Sequence, residues 1–333
     1  MNTSSVIYME TGSFNPYYNL AFEEYILTTH LTGNYLLLWQ NANTIVVGQN
    51  QNTMAEINLE FVKEHQINVV RRTTGGGAVY HDLGNLNYSF ISDAGDSSER
   101  NRQQFVEPVV DALKGLGLDA CASGRNDILV SGCKVSGTAQ RIYSGRILHH
   151  GTLLFDADPS MISGALRVDP LKFQSKGVRS VRSRVGNIRS FLSQDMTITR
   201  FWDYLIRSLS KTDLRMECLS DEEKEKVLEL KESKYDTWEW NFGRSPEYQF
   251  MNKRKWDGGI LEIRTSVEKG YIRDITFYGD FLSLEPLTQL CRQLQGCPCR
   301  REEVKKVLEL QALDHLFGTI TEEQILTTLF DTI

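Results

Sequence analysis

The run Arg71-Arg72-Thr73-Thr74-Gly75-Gly76-Gly77-Ala78-Val79-Tyr80-His81 is the densest concentration of chemistry in the chain. Three successive glycines lose more backbone entropy on folding than other residues, so a physical reason for them is expected. One reason is a turn that requires positive φ. The other is a ligand that approaches bare backbone N–H groups, as an anion does in a backbone nest. Two arginines upstream and Tyr80-His81-Asp82 downstream move the balance towards a site. The loop is not a P-loop, because no Gly-Lys-Ser/Thr closes it, and the Gly-x-Gly-x-x-Gly dinucleotide spacing is absent. A second cluster is Asn126-Asp127 with Gly132-Cys133-Lys134-Val135-Ser136-Gly137-Thr138-Ala139. A lysine on such a strand either faces solvent or, among small hydroxyl residues, offers a point charge to phosphate or carboxylate. Asp127 is either a turn cap or a ligand for a hard cation. In His149-His150-Gly151-Thr152, neighbours on a strand point to opposite faces, so at most one histidine serves a given site. From Arg167 to Arg189, seven basic residues stand against Asp169. That stretch is either a solvated loop or one that meets an anion, since guanidinium and ammonium groups suit phosphate.

The elements that must position these residues read as follows. Asn19 to Thr29 has helical spacing, with Leu20, Glu23, Glu24 and Leu27 on related turns. Tyr35 to Trp39 and Thr44 to Gly48 are short apolar runs bounded by Asn and Gly, as buried strands joined by a tight connection would be. Leu59 to Glu64 reads as a short helix, Asn68 to Val70 as a strand entering the glycine run, and Leu86 to Ile91 as a strand. Phe105 to Leu116 is an amphipathic helix stopped at Gly117. Asp127 to Val130, Cys133 to Gln140 and Ile147 to Phe155 read as strands. Strands outnumber helices and are often consecutive, which favours an α+β fold with a mixed or antiparallel sheet. A charged helix spans Ser220 to Tyr235, and Trp238-Glu239-Trp240-Asn241-Phe242 suits a packing corner before a boundary near Ser245. Beyond it, Gly259 to Arg264 and Tyr271 to Tyr278 alternate with period two around Lys269-Gly270, the pattern of a hairpin. Leu284 to Leu294, Glu302 to Leu310 and Thr321 to Asp331 are helical. The expectation is a catalytic domain over 1–245 and a small α+β domain over 246–333.

The whole chain has 333 residues, 41% hydrophobic and 24% charged, with net charge −6. There is ample apolar material for a core, so disorder is excluded as the main state. No apolar run approaches the roughly 20 residues that a bilayer-spanning helix needs. The N-terminus lacks a secretory pattern, so a cytoplasmic protein with six reduced thiols is expected. Cys297-Pro298-Cys299 is the only close cysteine pair, and no further Cys or His lies at metal-ligand spacing. The mild acidity argues against a general nucleic-acid binder.

Arg71 through Asn85 resembles the signature loop of lipoate–protein ligases. The resemblance continues through Asn126-Asp127, Lys134 to Ala139, His149 to Leu154, Lys176 to Val185 and Trp238 to Gly243, in the family's order. It implies the catalytic fold shared with biotin protein ligases and a small C-terminal accessory domain. It further implies an ATP-dependent ligase, with Mg²⁺, that makes lipoyl-AMP and passes the lipoyl group to a lysine. The implied acceptors are lipoyl domains of 2-oxoacid dehydrogenase complexes or the glycine-cleavage H protein, with no nucleic acid and no membrane. By the same resemblance Lys134 is the catalytic residue, bridging lipoate and phosphate. Arg72, Gly77, Ala78, Val79, Tyr80, Lys134, Lys176, Arg179 and Arg182 are implied for the adenylate. Glu23, Trp39, Arg72, Gly75, Gly76, Gly77, His81, Lys134 and His150 are implied for lipoate, and Asn126 and Asp127 for the metal. Thr73-Thr74 stands where serines are commoner, which retains the hydroxyls. The rival readings are an acyltransferase of the same fold that works without ATP, a biotin ligase and a non-catalytic binder of lipoyl domains. A nucleophilic Cys133 would suit the acyltransferase.

Overall fold

The computed structural model describes residues 5–95, 103–124, 126–166, 185–209, 214–242, 250–268 and 270–330. Lys176, Arg179, Arg182, Arg184, Lys269, Asp331 and the boundary near Ser245 lie outside the described residues. The strands are β1 Val6–Glu10, β2 Asn34–Trp39, β3 Thr44–Val47, β4 Asn68–Arg71, β5 Val79–His81, β6 Asn85–Asp93 and β7 Ala120–Ser123. They continue as β8 Asp127–Val130, β9 Cys133–Tyr143, β10 Arg146–Leu154, β11 Leu214–Met216, β12 Phe250–Trp256, β13 Gly259–Glu268 and β14 Tyr271–Gly279. Among the described residues they form an eight-stranded sheet in the order β11-β1-β2-β6-β10-β9-β8-β7 and two three-stranded sheets, β4-β3-β5 and β12-β13-β14. Pairing is parallel at β11-β1-β2 and at β3-β4, and antiparallel elsewhere. The fold is mixed α+β, as the strand-rich pattern indicates.

Period-two alternation divides the large sheet between two cores. Leu36 and Leu38 of β2, with Leu86, Tyr88 and Phe90 of β6, face the helices Gln103–Gly115 and Ile198–Leu209. Tyr35, Leu37 and Trp39 face the opposite way, onto the helix Pro16–Thr29 and onto Val46 and Val70 of the smaller sheet. The far side of that smaller sheet carries Ile45, Val47, Val69 and Tyr80 in a third core. The site is built in the layer between the two sheets.

Several elements differ from their sequence outlines. The first helix starts at Pro16 rather than Asn19, because the Asn15 side chain caps the N–H groups of Tyr17 and Tyr18; such a cap contributes about 1 kcal/mol. The two runs read as joined buried strands, β2 and β3, belong to different sheets. Ser131 and Gly132 both take positive φ, the geometry of a tight hairpin turn between β8 and β9. The charged helix is α-helical over Asp221–Leu230 with a Ser220–Glu223 capping box, and then widens to π over Lys231–Tyr235. Strands β1, β11 and β12 and the helix Ile198–Leu209 escaped the sequence outline.

The C-terminal unit wraps the β13-β14 hairpin with helices around its own core of Leu261, Ile263, Phe277, Phe281 and Phe317. It touches the glycine run directly. Gly76 N–H donates to Phe281 O at 3.1 Å, Gly279 N–H to Asn50 O at 2.8 Å, and Asn50 Nδ2 to Ser283 Oγ at 2.9 Å.

Candidate active site

One cavity of about 130 Å³ collects residues from both sheets. Its wall includes Leu20, Trp39, Val46, Asn87, Arg72, Gly76, Gly77, Ala78, Val79 and His81, with Asn126, Lys134, Gly137, Thr138, Ala139, His150 and Thr152. Sheet register fixes its long direction. Ala139 of β9 pairs with His150 of β10, His150 with Ser89 of β6, and Trp39 of β2 with Asn87. The cavity thus runs over three strand spacings, about 14 Å, with Lys134 at one end and Trp39 at the other.

At the β9 end, Lys134 Nζ lies 2.7 Å from Asp127 Oδ1, and a Cβ built on Gly137 would sit 3.6 Å from the same amine. Such a Cβ would be in ordinary van der Waals contact, so residue 137 packs beside the end of the lysine side chain. Leu129 pairs with Lys134 while Ile128 pairs with Ser136, so β9 carries one extra residue here. Such a bulge re-aims a side chain. Lys134 lines the cavity and Cys133 does not, as strand alternation requires. Val185 bridges Lys134, and Gly186 N–H donates to Lys134 O at 3.0 Å. The described residue that follows the basic segment is thereby fixed beside the lysine.

The glycine run is held from within by Arg72, which is 6% exposed. Its Nη2 donates to Gly75 O at 2.6 Å and Gly77 O at 2.9 Å, its Nη1 to Val46 O, and its Nε to Thr74 Oγ1 at 3.0 Å. Burial lowers its pKa to about 10, which leaves it charged at neutral pH. Gly76 takes φ of +90°, a left-handed conformation that glycine accommodates without strain. Arg71 fixes the base of the loop by bonding Gly48 O, Gln51 O and Thr53 Oγ1.

A polar chain joins this loop to the tryptophan. Trp39 Nε1 donates to Ser89 Oγ at 3.0 Å, and Ser89 donates to Glu23 Oε1 at 2.5 Å. Glu23 also meets His150 Nδ1 at 2.9 Å, and His150 Nε2 meets Thr74 Oγ1 at 2.8 Å. One set of proton positions satisfies all members: His150 Nδ1–H donates to the carboxylate, and Thr74, already accepting from Arg72, donates to Nε2.

Three residues named from the sequence lie off this cavity's wall. Glu23 is not on the cavity wall; it is buried behind His150 and Ser89 and orients them. Tyr80 turns its side chain away, into the third core, and its hydroxyl bonds Asn43 Oδ1 at 3.0 Å; alternation on β5 gives the cavity Val79 and His81 instead. Gly75 is also off the wall. A Cβ there would lie 2.5 Å from Ser283 N and 2.9 Å from Phe281 O, so its small size serves the contact with the C-terminal unit. The other described residues, Arg72, Gly76, Gly77, Ala78, Val79, His81, Lys134, His150, Trp39 and Asn126, meet on one wall, with Asp127 against the lysine. Of the histidine pair, His150 faces the cavity and His149 stacks on Phe105 in the core. Sequence reasoning missed Asn87, Ser89 and Asn41. The signal for Asn87 and Ser89 was a polar period-two line, Asn85-Asn87-Ser89, in an otherwise apolar strand; Asn41, between β2 and β3, had none. Among the described residues no group of three or more His, Cys, Asp or Glu could hold a metal.

Comparison with known proteins agrees with this geometry. Residues 15–210 match the lipoyl protein ligase A/B catalytic domain, and residues 245–329 match the bacterial lipoate protein ligase C-terminus. The chain is 40% identical to lipoate-protein ligase LplJ of Bacillus subtilis over 332 residues, covering 98% of this chain and 100% of that one. P. falciparum LipL1, solved in complex with lipoate, superposes with TM-score 0.79 at 25% identity, covering 92% of this chain and 94% of that one. A lipoate-protein ligase A solved with ATP bound gives TM-score 0.63 at 30% identity over 72% of this chain and 98% of that one. The chain belongs to the lipoate–protein ligase family, with its catalytic domain followed by the bacterial C-terminal domain.

Proposed function

We propose that this chain activates lipoate with ATP and passes the lipoyl group to a lysine of lipoyl domains, those of 2-oxoacid dehydrogenase complexes or the glycine-cleavage H protein. The lipoate carboxylate attacks the α-phosphate of ATP, forming a C–O–P anhydride and releasing pyrophosphate. The acceptor amine then attacks the acyl carbon and AMP leaves. The first step brings two anions together, so fixed positive charge is needed where they meet. The observation that carries the reading is Lys134, whose amine stands at one end of an apolar-tailed cavity that it shares with the glycine run. Lipoate enters with its carboxylate at Lys134 and its ring towards Trp39.

Lys134 holds the negative charge that builds on the acyl and phosphoryl oxygens. Arg72 keeps Gly75 and Gly77 in place, so that the backbone of Gly76, Gly77 and Ala78 closes over the adenylate. Lys176, Arg179 and Arg182 belong to the segment that ends at Val185, beside Lys134, and they supply further positive charge. Asp127 and Asn126 offer hard oxygen donors next to the lysine. One carboxylate is enough for Mg²⁺ when phosphates provide other ligands, so the donor set suits that ion, which would offset charge on the triphosphate. We keep the domain boundary near Ser245, a reading supported by the C-terminal family match that begins at residue 245.

Pyrophosphate release from lipoate and ATP without acceptor protein tests the reading. Lys134→Ala is expected to lower that rate at least about 100-fold, the scale set by removing one oxyanion-stabilising donor, with an unchanged melting temperature. Wild-type rates in that variant would overturn the assignment. The same assay separates this reading from an acyltransferase that makes no pyrophosphate.

A further inference from the structure

His81 carries a proton whose position can be deduced. Asn19 Nδ2 faces Ser13 O at 3.0 Å and Gln40 O at 2.7 Å. Carbonyls only accept, so the nitrogen end of that amide must face them. The same nitrogen lies 3.0 Å from Asn41 Oδ1, which fixes the Asn41 amide in turn. Asn41 therefore presents Nδ2 to His81 Nδ1, at 3.2 Å. A donor opposite Nδ1 makes that atom the acceptor, and the proton of the neutral ring sits on Nε2. The ring stays neutral: burial, then the charge of Arg72 and the presence of His150, lower its pKa to about 3.

That Nε2–H has no hydrogen-bond partner among the described residues, although His81 is only 3% exposed. The residue stands on the cavity wall at the Trp39 end, with the indole edge-on at 6.4 Å and Leu20 and Val46 on the same wall. A buried donor in an apolar setting is costly to leave dry. An eight-carbon acid extends about 9 Å at C–C bonds near 1.5 Å. With its carboxylate held by the Lys134 side chain, which itself reaches into the cavity, the acid runs along the wall towards its Trp39 and His81 end. In lipoate the acid's far end carries a dithiolane, whose sulfurs are weak acceptors. In octanoate it is a methyl group with no acceptor.

We propose that His81 is a specificity-determining residue, donating Nε2–H to a dithiolane sulfur so that the pocket prefers lipoate to a plain acid of the same length. This rests on the lipoate reading above, which sets the ring towards Trp39 but gives its sulfurs no hydrogen-bond donor. The cascade from backbone carbonyls through Asn19 and Asn41 sets the tautomer that makes the discrimination possible.

Full-length wild type, His81→Leu, His81→Gln and His81→Asn are compared for pyrophosphate release with ATP and either oxidised lipoate or octanoate. The readout is the lipoate-to-octanoate ratio of kcat/KM. In His81→Leu the ratio is expected to fall about 3- to 10-fold, the net effect of one neutral hydrogen bond, with lipoate losing more than octanoate. His81→Gln, whose amide nitrogen reaches the position of Nε2, keeps the ratio. His81→Asn reaches only the position of Nδ1 and loses it, which decides the matter if the leucine variant folds poorly. An unchanged ratio in both His81→Leu and His81→Asn, or an equal loss with both acids, overturns the proposal in favour of a packing role. A wild-type enzyme that releases no pyrophosphate with either acid overturns this proposal together with the ligase reading.

Discussion

Gly48→Ala tests whether the glycine run works as a positioned device. A Cβ at residue 48 would land 1.9 Å from Gly76 O, 3.0 Å from Gly76 C and 3.3 Å from Arg72 Nη2. Ordinary carbon contacts sit near 3.5 Å, so the loop must retreat by about 1.5 Å. Gly76 cannot retreat alone. Its neighbours are held by Arg72 Nη2 at 2.6 Å and 2.9 Å, and its own N–H is held by Phe281 O at 3.1 Å. Bonds to a charged donor are worth about 1.5–3 kcal/mol each, and partial relaxation brings the expected loss of stability to about 2–4 kcal/mol. A misplacement near 1 Å at a reacting centre costs about 100-fold in rate. The assay is pyrophosphate release, measured beside a thermal melt. Gly258→Ala is the control, since its Cβ would meet Ile320 Cγ1 at 2.6 Å within the C-terminal unit, away from the cavity. It should destabilise without a matching loss of rate. Wild-type rates in a folded Gly48→Ala enzyme would refute the reasoning. So would an equal loss of rate in the control at equal stability.

Two further perturbations probe the supporting structure. Burial pushes the Glu24 carboxyl up, but Lys234 at 2.7 Å and Arg141 at 3.0 Å outweigh it and leave the pKa below the ordinary range. A depressed carboxylate contributes stability above its unfolded pKa and loses it as pH falls through the folded value. Glu24→Gln should therefore cost about 3–5 kcal/mol at pH 7, as removal of one buried partner does, and its deficit against wild type should shrink below about pH 4. Melts from pH 7 to pH 3 check this; a deficit that stays constant with pH would contradict it. Trp39→Ala removes an indole that closes one end of the cavity, and should move acyl preference towards longer chains at about 3–5 kcal/mol of stability. A chain-length profile that did not move would show that Trp39 does not close the acyl end.

Local signals carried much of this molecule. The short apolar run Tyr35-Leu36-Leu37-Leu38-Trp39, bounded by Asn and Gly, announced a buried strand, and the Lys269-Gly270 turn announced the β13-β14 hairpin. Lys134, Arg72 and His150 stood out because charged or imidazole side chains among small residues need a reason. What was not legible depends on which sheet a strand joins. Nothing in Tyr80 distinguishes the cavity face from the third core until β5 is paired with β3. Glu23 sits at helical spacing with Leu20 and Leu27, and only packing shows that it lies behind His150. Gly75 is indistinguishable from its two neighbours in sequence, yet its bare Cα answers to Ser283, more than 200 residues away. Strands β1 and β11 were missed because each is short and their parallel pairing comes from distant segments, with no adjacent turn to mark it.

Arg72 on the cavity wall and Glu23 behind it are a guanidinium and a carboxylate, both nearly inaccessible to water. Isolated, either would be costly to bury. They are linked through His150 and Thr74, which hand one proton position to the next, so each charge meets oriented dipoles rather than water. The consequence reaches the reaction centre. With Thr74 taking Arg72 Nε, both of the arginine's short Nη2 bonds remain for Gly75 O and Gly77 O. The loop is thus joined through Thr74 to His150 on β10, two strand spacings from the indole on β2. Trp39 and the glycine run are therefore joined by one hydrogen-bonded chain, in which each buried polar group satisfies the next.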